Sequence, residues 1–321
     1  MTPLRKDSMV NPSHDTELSP SIIYRELERY HIDTIFDPIA STTDAAGYFK
    51  LQDVRVIAND MALYMYVKGK ALWENNRFTI PEILANKLIE EKSKLPAPEH
   101  YGTLGEKWLT DEHRRWLEHW RKIINEEVDE YIRALAETAV CLVIDYWITE
   151  KRFGTRASWT PPGLLSYYIK HVNSSLLDNE ESNEMWRMEP SEITDKVIAD
   201  VLFINPPSLK GYAGLGDREQ ILESWLRGVS DFPMDRIAGK GTLGYPFDNP
   251  ADYLAAFKNL LEAANHIPMW AIALSNRQPY TRLEFEELLG SLGREIREID
   301  LTIARKFFSL RAPDTIVIAG R

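Results

Sequence analysis

The run Val201-Leu202-Phe203-Ile204 leads straight into Asn205-Pro206-Pro207-Ser208, an apolar segment that ends in a polar turn with two adjacent prolines. Two prolines remove two backbone donors and hold the chain extended, with their carbonyls turned outward. The side-chain oxygen of Asn205 and the carbonyl of Pro206 then offer two acceptors that one amino group can satisfy together. Such a clamp aims a nitrogen lone pair at an electrophile, and it works by positioning rather than by a strong base. The same four residues also suit a rigid exit from a strand, so the motif alone leaves two readings open.

Other polar clusters follow apolar runs in the same way. Asp37-Pro38 and the small-residue loop Ile39-Ala40-Ser41-Thr42-Thr43 come after Thr34-Ile35-Phe36, and Asn59-Asp60 comes after Val54-Arg55-Val56-Ile57-Ala58. In an open parallel sheet, ligands bind outside the carboxyl ends of the strands, near the point where the winding reverses. Asp60 lies 23 positions after Asp37 and suits a ribose hydroxyl pair, with a turn former or helix cap as the alternative. Ser275-Asn276-Arg277, after Trp270 to Leu274, suits either a target contact or a plain turn. Gly211-Tyr212-Ala213-Gly214-Leu215-Gly216 and Gly239-Lys240-Gly241 lack the strand-GxxxxGK[ST]-helix setting of a phosphate loop and read as ordinary loops. Glu189 follows a third short strand, Met185 to Met188. His113 and His119 share a helix but fall on different faces, which argues against a metal site and for exposed or interfacial roles.

The elements that must position these groups are legible as alternating strands and helices. A helix is expected over 21–30, strands at 33–36, 54–58, 185–188, 201–204 and 270–275, and two closing strands at 295–302 and 315–319. Helices over 218–226, 251–264 and 282–292 separate the later strands. This is the pattern of an α/β doubly wound fold. From 62 onward the period changes to long helices, with Trp116, Trp120, Ile123, Ile124, Val128, Tyr131 and Leu135 at helical spacing, a stripe expected to be packing surface. The expected organisation is a loose polar tail (1–20), a core made of 21–61 and 185–321, and a helical insert and loop region (62–184).

Composition narrows the function classes. One cysteine, Cys141 in an apolar run, excludes an intramolecular disulfide and reads as a buried structural thiol, which fits a reducing cytoplasm. No apolar run is long enough for a membrane span. A net charge of −11 disfavours binding a polyanion over the whole surface and leaves room only for a local basic patch.

Asp200 to Ser208 resembles the catalytic motif of amino-directed methyltransferases, (Asp/Asn/Ser)-Pro-Pro-(Tyr/Phe/Trp). Phe36 to Ser41 resembles their methyl-donor loop, and Asn59-Asp60 is similar to the pair that ends their second strand. Motif order and the closing strands look like the adenine-specific DNA methyltransferases, over roughly residues 20–60 and 185–320. The resemblance implies a Rossmann-like methyltransferase fold, a mostly parallel seven-stranded sheet with an inserted helical region, and S-adenosylmethionine (AdoMet) as the donor. Carried over by position, Asp37, Pro38, Ala40, Ser41 and Thr43 would line the methionine end of AdoMet, Asp60 would hold its ribose, and Glu189 would contact its adenine. Asn205 and the Pro206 carbonyl would hold the target amino group, with Pro207 and Ser208 completing the catalytic tetrapeptide. Tyr212 would supply the aromatic ring that Ser208 lacks, and Ser275 and Asn276 would touch the target nucleotide. The chain departs from the pattern where Ser41 and Thr43 replace loop glycines and Ser208 replaces the aromatic residue.

The resemblance also implies duplex DNA as substrate, a protein partner of a restriction-modification or defence system, and no membrane. Two other readings stand beside it. One is a methyltransferase fold that serves as a binding or assembly subunit; the other is a methyltransferase of a protein amide or small molecule.

Overall fold

The computed structural model describes residues 20–40, 45–90, 102–154, 159–274, 279–300 and 315–320. Its strands are β1 (Thr34–Asp37), β2 (Arg55–Asn59), β3 (Glu184–Trp186), β4 (Val201–Ile204), β5 (Met269–Leu274), β6 (Glu295–Asp300) and β7 (Thr315–Gly320). They form one seven-stranded sheet in the order β3-β2-β1-β4-β5-β7-β6. β1 to β5 are parallel, and β7 lies antiparallel between β5 and β6. The chain winds outward from β1 to β3 and then crosses to the other side of β1 to lay down β4. The winding therefore reverses between β1 and β4, where Asp37 ends one strand and Asn205 follows the other.

The helices are α1 (Pro20–Glu28), α2 (Ala45–Leu51), α3 (Leu63–Gly69), α4 (Glu82–Ile89), α5 (Gly102–Trp108), α6 (Asp111–Ile124), α7 (Glu130–Phe153), α8 (Pro161–Ser174), α9 (Pro190–Thr194), α10 (Asp217–Arg227), α11 (Pro250–Ala263) and α12 (Arg282–Ser291). Side chains alternate across each strand, which sorts the sheet into two faces. Ile35, Val56, Ala58, Val201 and Phe203 pack with Ile23 and Leu27 of α1 and Phe49 of α2. Phe36, Ile57, Leu202, Ile204 and Trp270 pack with Ile193 of α9, Phe257 of α11 and Phe285 of α12. All four residues of β4 are buried, as a strand covered on both faces requires.

A third apolar cluster is built mainly by helices and contains Leu88 of α4, Trp116 and Trp120 of α6, Val140 and Trp147 of α7, and Leu165 of α8. Trp120 donates its indole N–H to the Leu88 carbonyl at 3.0 Å. Ile221, Leu222 and Trp225 of α10 join this cluster, although α10 follows β4 in sequence. Conversely, Met65 of α3 and Trp73 pack with the sheet face of α1 and α2. The one-turn π-helix Lys70–Glu74 is tied to α2 by Lys50, whose Nζ donates to the carbonyls of Leu72 (3.2 Å) and Asn75 (2.8 Å).

The apolar stripe expected to run unbroken from 116 to 135 is split. α6 ends at Ile124, and Val128 is 90% exposed in the connection. Asp129 then caps α7 by accepting the amides of Tyr131 and Ile132. The third strand ends at Trp186, short of the expected Met188, because the backbone of Met188 turns to bond the side chain of Asn59. His119 is buried against Trp116 rather than exposed or interfacial. His113 accepts the Thr110 amide to cap α6 and stacks on Trp147 at 3.9 Å. Burial, with Lys151 nearby, lowers its pKa to about 4. Cys141 sits in α7 and is half-buried rather than fully buried as expected; desolvation still pushes its thiol well above the ordinary value, the state of an inert structural cysteine. No helix among the described residues is long and apolar enough to cross a membrane.

Candidate active site

Asn59, the last residue of β2, joins the loops that leave the two flanking strands, β1 and β3. The residue is fully buried. Its Nδ2 donates to the carbonyls of Pro38 (2.9 Å) and Met188 (3.0 Å), and its Oδ1 accepts the Met188 amide at 2.9 Å. Its own carbonyl accepts the Ala40 amide at 3.0 Å. One side chain thus satisfies backbone groups after both β1 and β3, which a loop near a ligand must otherwise leave to water. The sequence placed Asn59 beside the acid without giving it a role; its position as the last residue of a buried strand was the available signal.

Asp37 and Asp60 lie within this frame and are 2% and 0% exposed. Asp37 accepts the Ile39 amide at 3.2 Å through Oδ1. Asp60 accepts the Ala62 amide at 2.8 Å and the Tyr212 hydroxyl at 2.9 Å, both through Oδ1. The Oδ2 of each carboxylate is buried with no partner among the described residues. Burial holds Asp37 well above the carboxylate range, against the Ile39 amide, and the nearby Asp60 raises it further. Burial likewise raises Asp60 to about 7, opposed by the Ala62 amide and the Tyr212 hydroxyl. A ligand that brings hydroxyl or ammonium donors to the two Oδ2 atoms would satisfy them and draw the carboxyls back to the ionised form.

The loop after β4 carries Asn205, half-buried, and Pro206, buried. The Pro207 carbonyl accepts the Tyr253 hydroxyl of α11 at 2.7 Å, so the end of the double-proline segment is anchored to the helix beneath it. Ser208 is exposed and its carbonyl accepts the Gly211 amide at 2.8 Å. The turn that follows depends on Gly211, with φ of +51° and the Gly244 carbonyl oxygen 2.0 Å from where a Cβ would stand. Tyr212 then donates its amide to that Gly244 carbonyl at 2.8 Å and sends its side chain inward to Asp60.

These contacts correct two expected roles. Tyr212 is 4% exposed and packed on Gly244, so it does not present a ring for stacking in place of the residue missing at Ser208. Glu189 is the N-cap of α9, accepting the amides of Ser191 (2.9 Å) and Glu192 (3.1 Å) and the Ser191 hydroxyl, which commits its Oε2 to the helix end. Asp37, Pro38 and Ala40 adjoin Asp60 through the Asn59 clamp, and the loop that follows Asn205, Pro206, Pro207 and Ser208 reaches Asp60 at Tyr212. Ser41, Thr43, Ser275 and Asn276 lie outside the described residues.

A cavity of about 570 Å³ flanks the sheet edge at β3, lined by Tyr66, Lys70, Glu74, Met185, Trp186 and Arg187 among others. Its floor is ordered by Glu74, which accepts the Met185 amide and the Tyr131 hydroxyl, each at 2.9 Å, and pairs with Lys70 at 2.5 Å. Among the described residues no group of His, Cys, Asp and Glu side chains is arranged to hold a metal ion. Compared with protein-family models the chain matches none, and no curated protein aligns with it at a significant level.

Proposed function

We propose that the chain is an AdoMet-dependent methyltransferase that modifies an exocyclic amino group, with adenine in DNA as the substrate class its motifs fit best. The observation that carries this reading is the reach of the loop after β4 across the switch point to the end of β2, through the 2.9 Å contact of Tyr212 with Asp60. In this reading Asn205 and the paired carboxylates serve one site. The unpartnered Oδ2 atoms of Asp37 and Asp60 supply the fit to a donor: buried acceptors are stable when a ligand brings the missing hydroxyl or ammonium hydrogens. Asp60 would hold the ribose hydroxyls, and Asp37 with Pro38 and Ala40 would line the methionine end. When bound, AdoMet supplies an electrophilic methyl on a sulfonium.

The rest is done by the protein's own groups. Asn205 and the Pro206 carbonyl accept the two hydrogens of the target amino group and turn its lone pair toward the donor site. Tyr253 holds the Pro207 carbonyl and keeps the double-proline segment in place, which is where a positioning mechanism gains its rate. Calorimetric titration with AdoMet, followed by methyl-transfer assays on adenine-containing duplexes, tests the reading. Binding that is lost in Asp60→Ala supports it, and a chain that binds neither AdoMet nor its demethylated product overturns it.

A further inference from the structure

The surface around the junction of α7 and α8 departs in charge and chemistry from the rest of the chain. Residues 151–177 contain Lys151, Arg152, Arg156 and Lys170 and no acid, in a protein whose net charge is −11. Three large rings are exposed on this stretch: Phe153 at 67%, Trp159 at 52% and Tyr167 at 44%. Trp159 directly precedes Thr160, whose hydroxyl caps α8 by accepting the Gly163 amide. The rings form a contiguous row, with Trp159 and Tyr167 centroids 5.9 Å apart and their planes tilted by 44°. Tyr167 and His171, one turn on, lie 6.4 Å apart and parallel to within 2°.

We infer that this row is a docking surface for single-stranded nucleic acid, with bases stacked on Trp159 and Tyr167 and phosphates drawn to Lys170 and Arg152. Exposed aromatic faces beside basic side chains are what sequence-tolerant strand binders present, because every base has a π-face and every nucleotide an anionic phosphate. Charge complementarity selects this occupant: Lys170 lies exposed about one turn from Tyr167, on a 151–177 stretch of sequence that holds four basic residues and no acid, while Asp217 lies beside Arg152. The position is also apt. Arg152 lies 5.9 Å over Trp108, whose indole N–H donates to Asp217 at 2.8 Å, and Asp217 opens α10 directly after the loop of Asn205 to Gly216. The surface therefore adjoins the exit of the loop proposed to hold a target amino group, while strand binding as such does not depend on methyl transfer.

The test is fluorescence anisotropy of a labelled oligothymidine of about 12 nucleotides with the full chain, without AdoMet and at low salt. Stacking on each ring is worth about 5- to 150-fold in affinity. The double variant Trp159→Ala/Tyr167→Ala is therefore expected to weaken binding by more than about 10-fold, while Trp159→Phe/Tyr167→Phe retains most of it. Lys170→Gln should lower the slope of log affinity against log salt by about 0.7. Ile198→Ala, at another exposed apolar residue (85%), should bind as the parent does. Unchanged circular dichroism and urea midpoint show that the variants fold. Absence of binding, equal binding by the double alanine variant, tighter binding of a matched duplex through the same residues, or binding of anionic vesicles in place of the strand each overturns the inference.

Discussion

Replacing Asp60 with asparagine should change how stability depends on pH, in a direction the structure sets. Asp60 is fully buried and its pKa is raised from 3.8 to about 7, chiefly by burial. Because the folded value lies above the unfolded one, the fold binds the proton more tightly. The stabilising contribution of Asp60 is therefore complete below about pH 4 and is lost as the pH rises through about 7. At about 1.4 kcal/mol per pH unit, the full excursion amounts to about 4 kcal/mol. The asparagine amide of the variant keeps an acceptor for the Ala62 amide and the Tyr212 hydroxyl but does not titrate, and its extra N–H donors take the place of an oxygen that has no partner. The variant carries a constant penalty of about 1–3 kcal/mol for that buried donor. Relative to the parent it should gain about 2–3 kcal/mol between pH 5 and pH 7.5. Glu137, also raised to about 7 by burial, is common to both proteins and cancels from the difference. Urea unfolding followed by tryptophan fluorescence at several pH values gives the two curves. Parallel curves for parent and Asp60→Asn across that range would refute the reasoning, because they would mean that Asp60 ionises in the fold as it does in the unfolded chain.

Asn205→Ala should lower methyl transfer on the order of 10²-fold with AdoMet affinity unchanged, since it removes one of two acceptors that orient the amino group; full activity in a radiolabel assay would remove Asn205 from the mechanism. Tyr253→Phe deletes the 2.7 Å bond to the Pro207 carbonyl and should cost about 1 kcal/mol of stability in urea unfolding, together with a drop in kcat larger than any change in KM. Gly211→Ala meets both a positive φ and the Gly244 carbonyl, and should destabilise by about 1–3 kcal/mol or more, with amide exchange rising first over the Gly211–Gly216 loop.

Much of the scaffold was written in local patterns. The four-residue apolar run of β4, the Asp37 and Asp60 strand ends and the double proline at Pro206 and Pro207 are where the sequence placed them. Periodicity reports which face of an element is buried, and proline reports where a ladder must end, and both are properties of neighbouring residues. The π-turn at Lys70–Glu74 and the break before Asp129 were less visible, because caps and carbonyl anchors such as Lys50 decide them and these come from elsewhere in the chain.

Strand order, the Asn59 clamp and the fate of Tyr212 belong to the tertiary structure alone. Tyr212 and Asp60 are 152 residues apart, and Tyr253 and Pro207 are 46 apart. Nothing in the local spacing of Glu189 distinguished a ligand contact from the helix cap it makes with Ser191 and Glu192. A side chain's chemistry limits what it can bond, and that limit is legible from residue identity. Which partner it finds follows from how distant segments pack to bury their apolar faces, and only the folded chain brings those segments within hydrogen-bond reach.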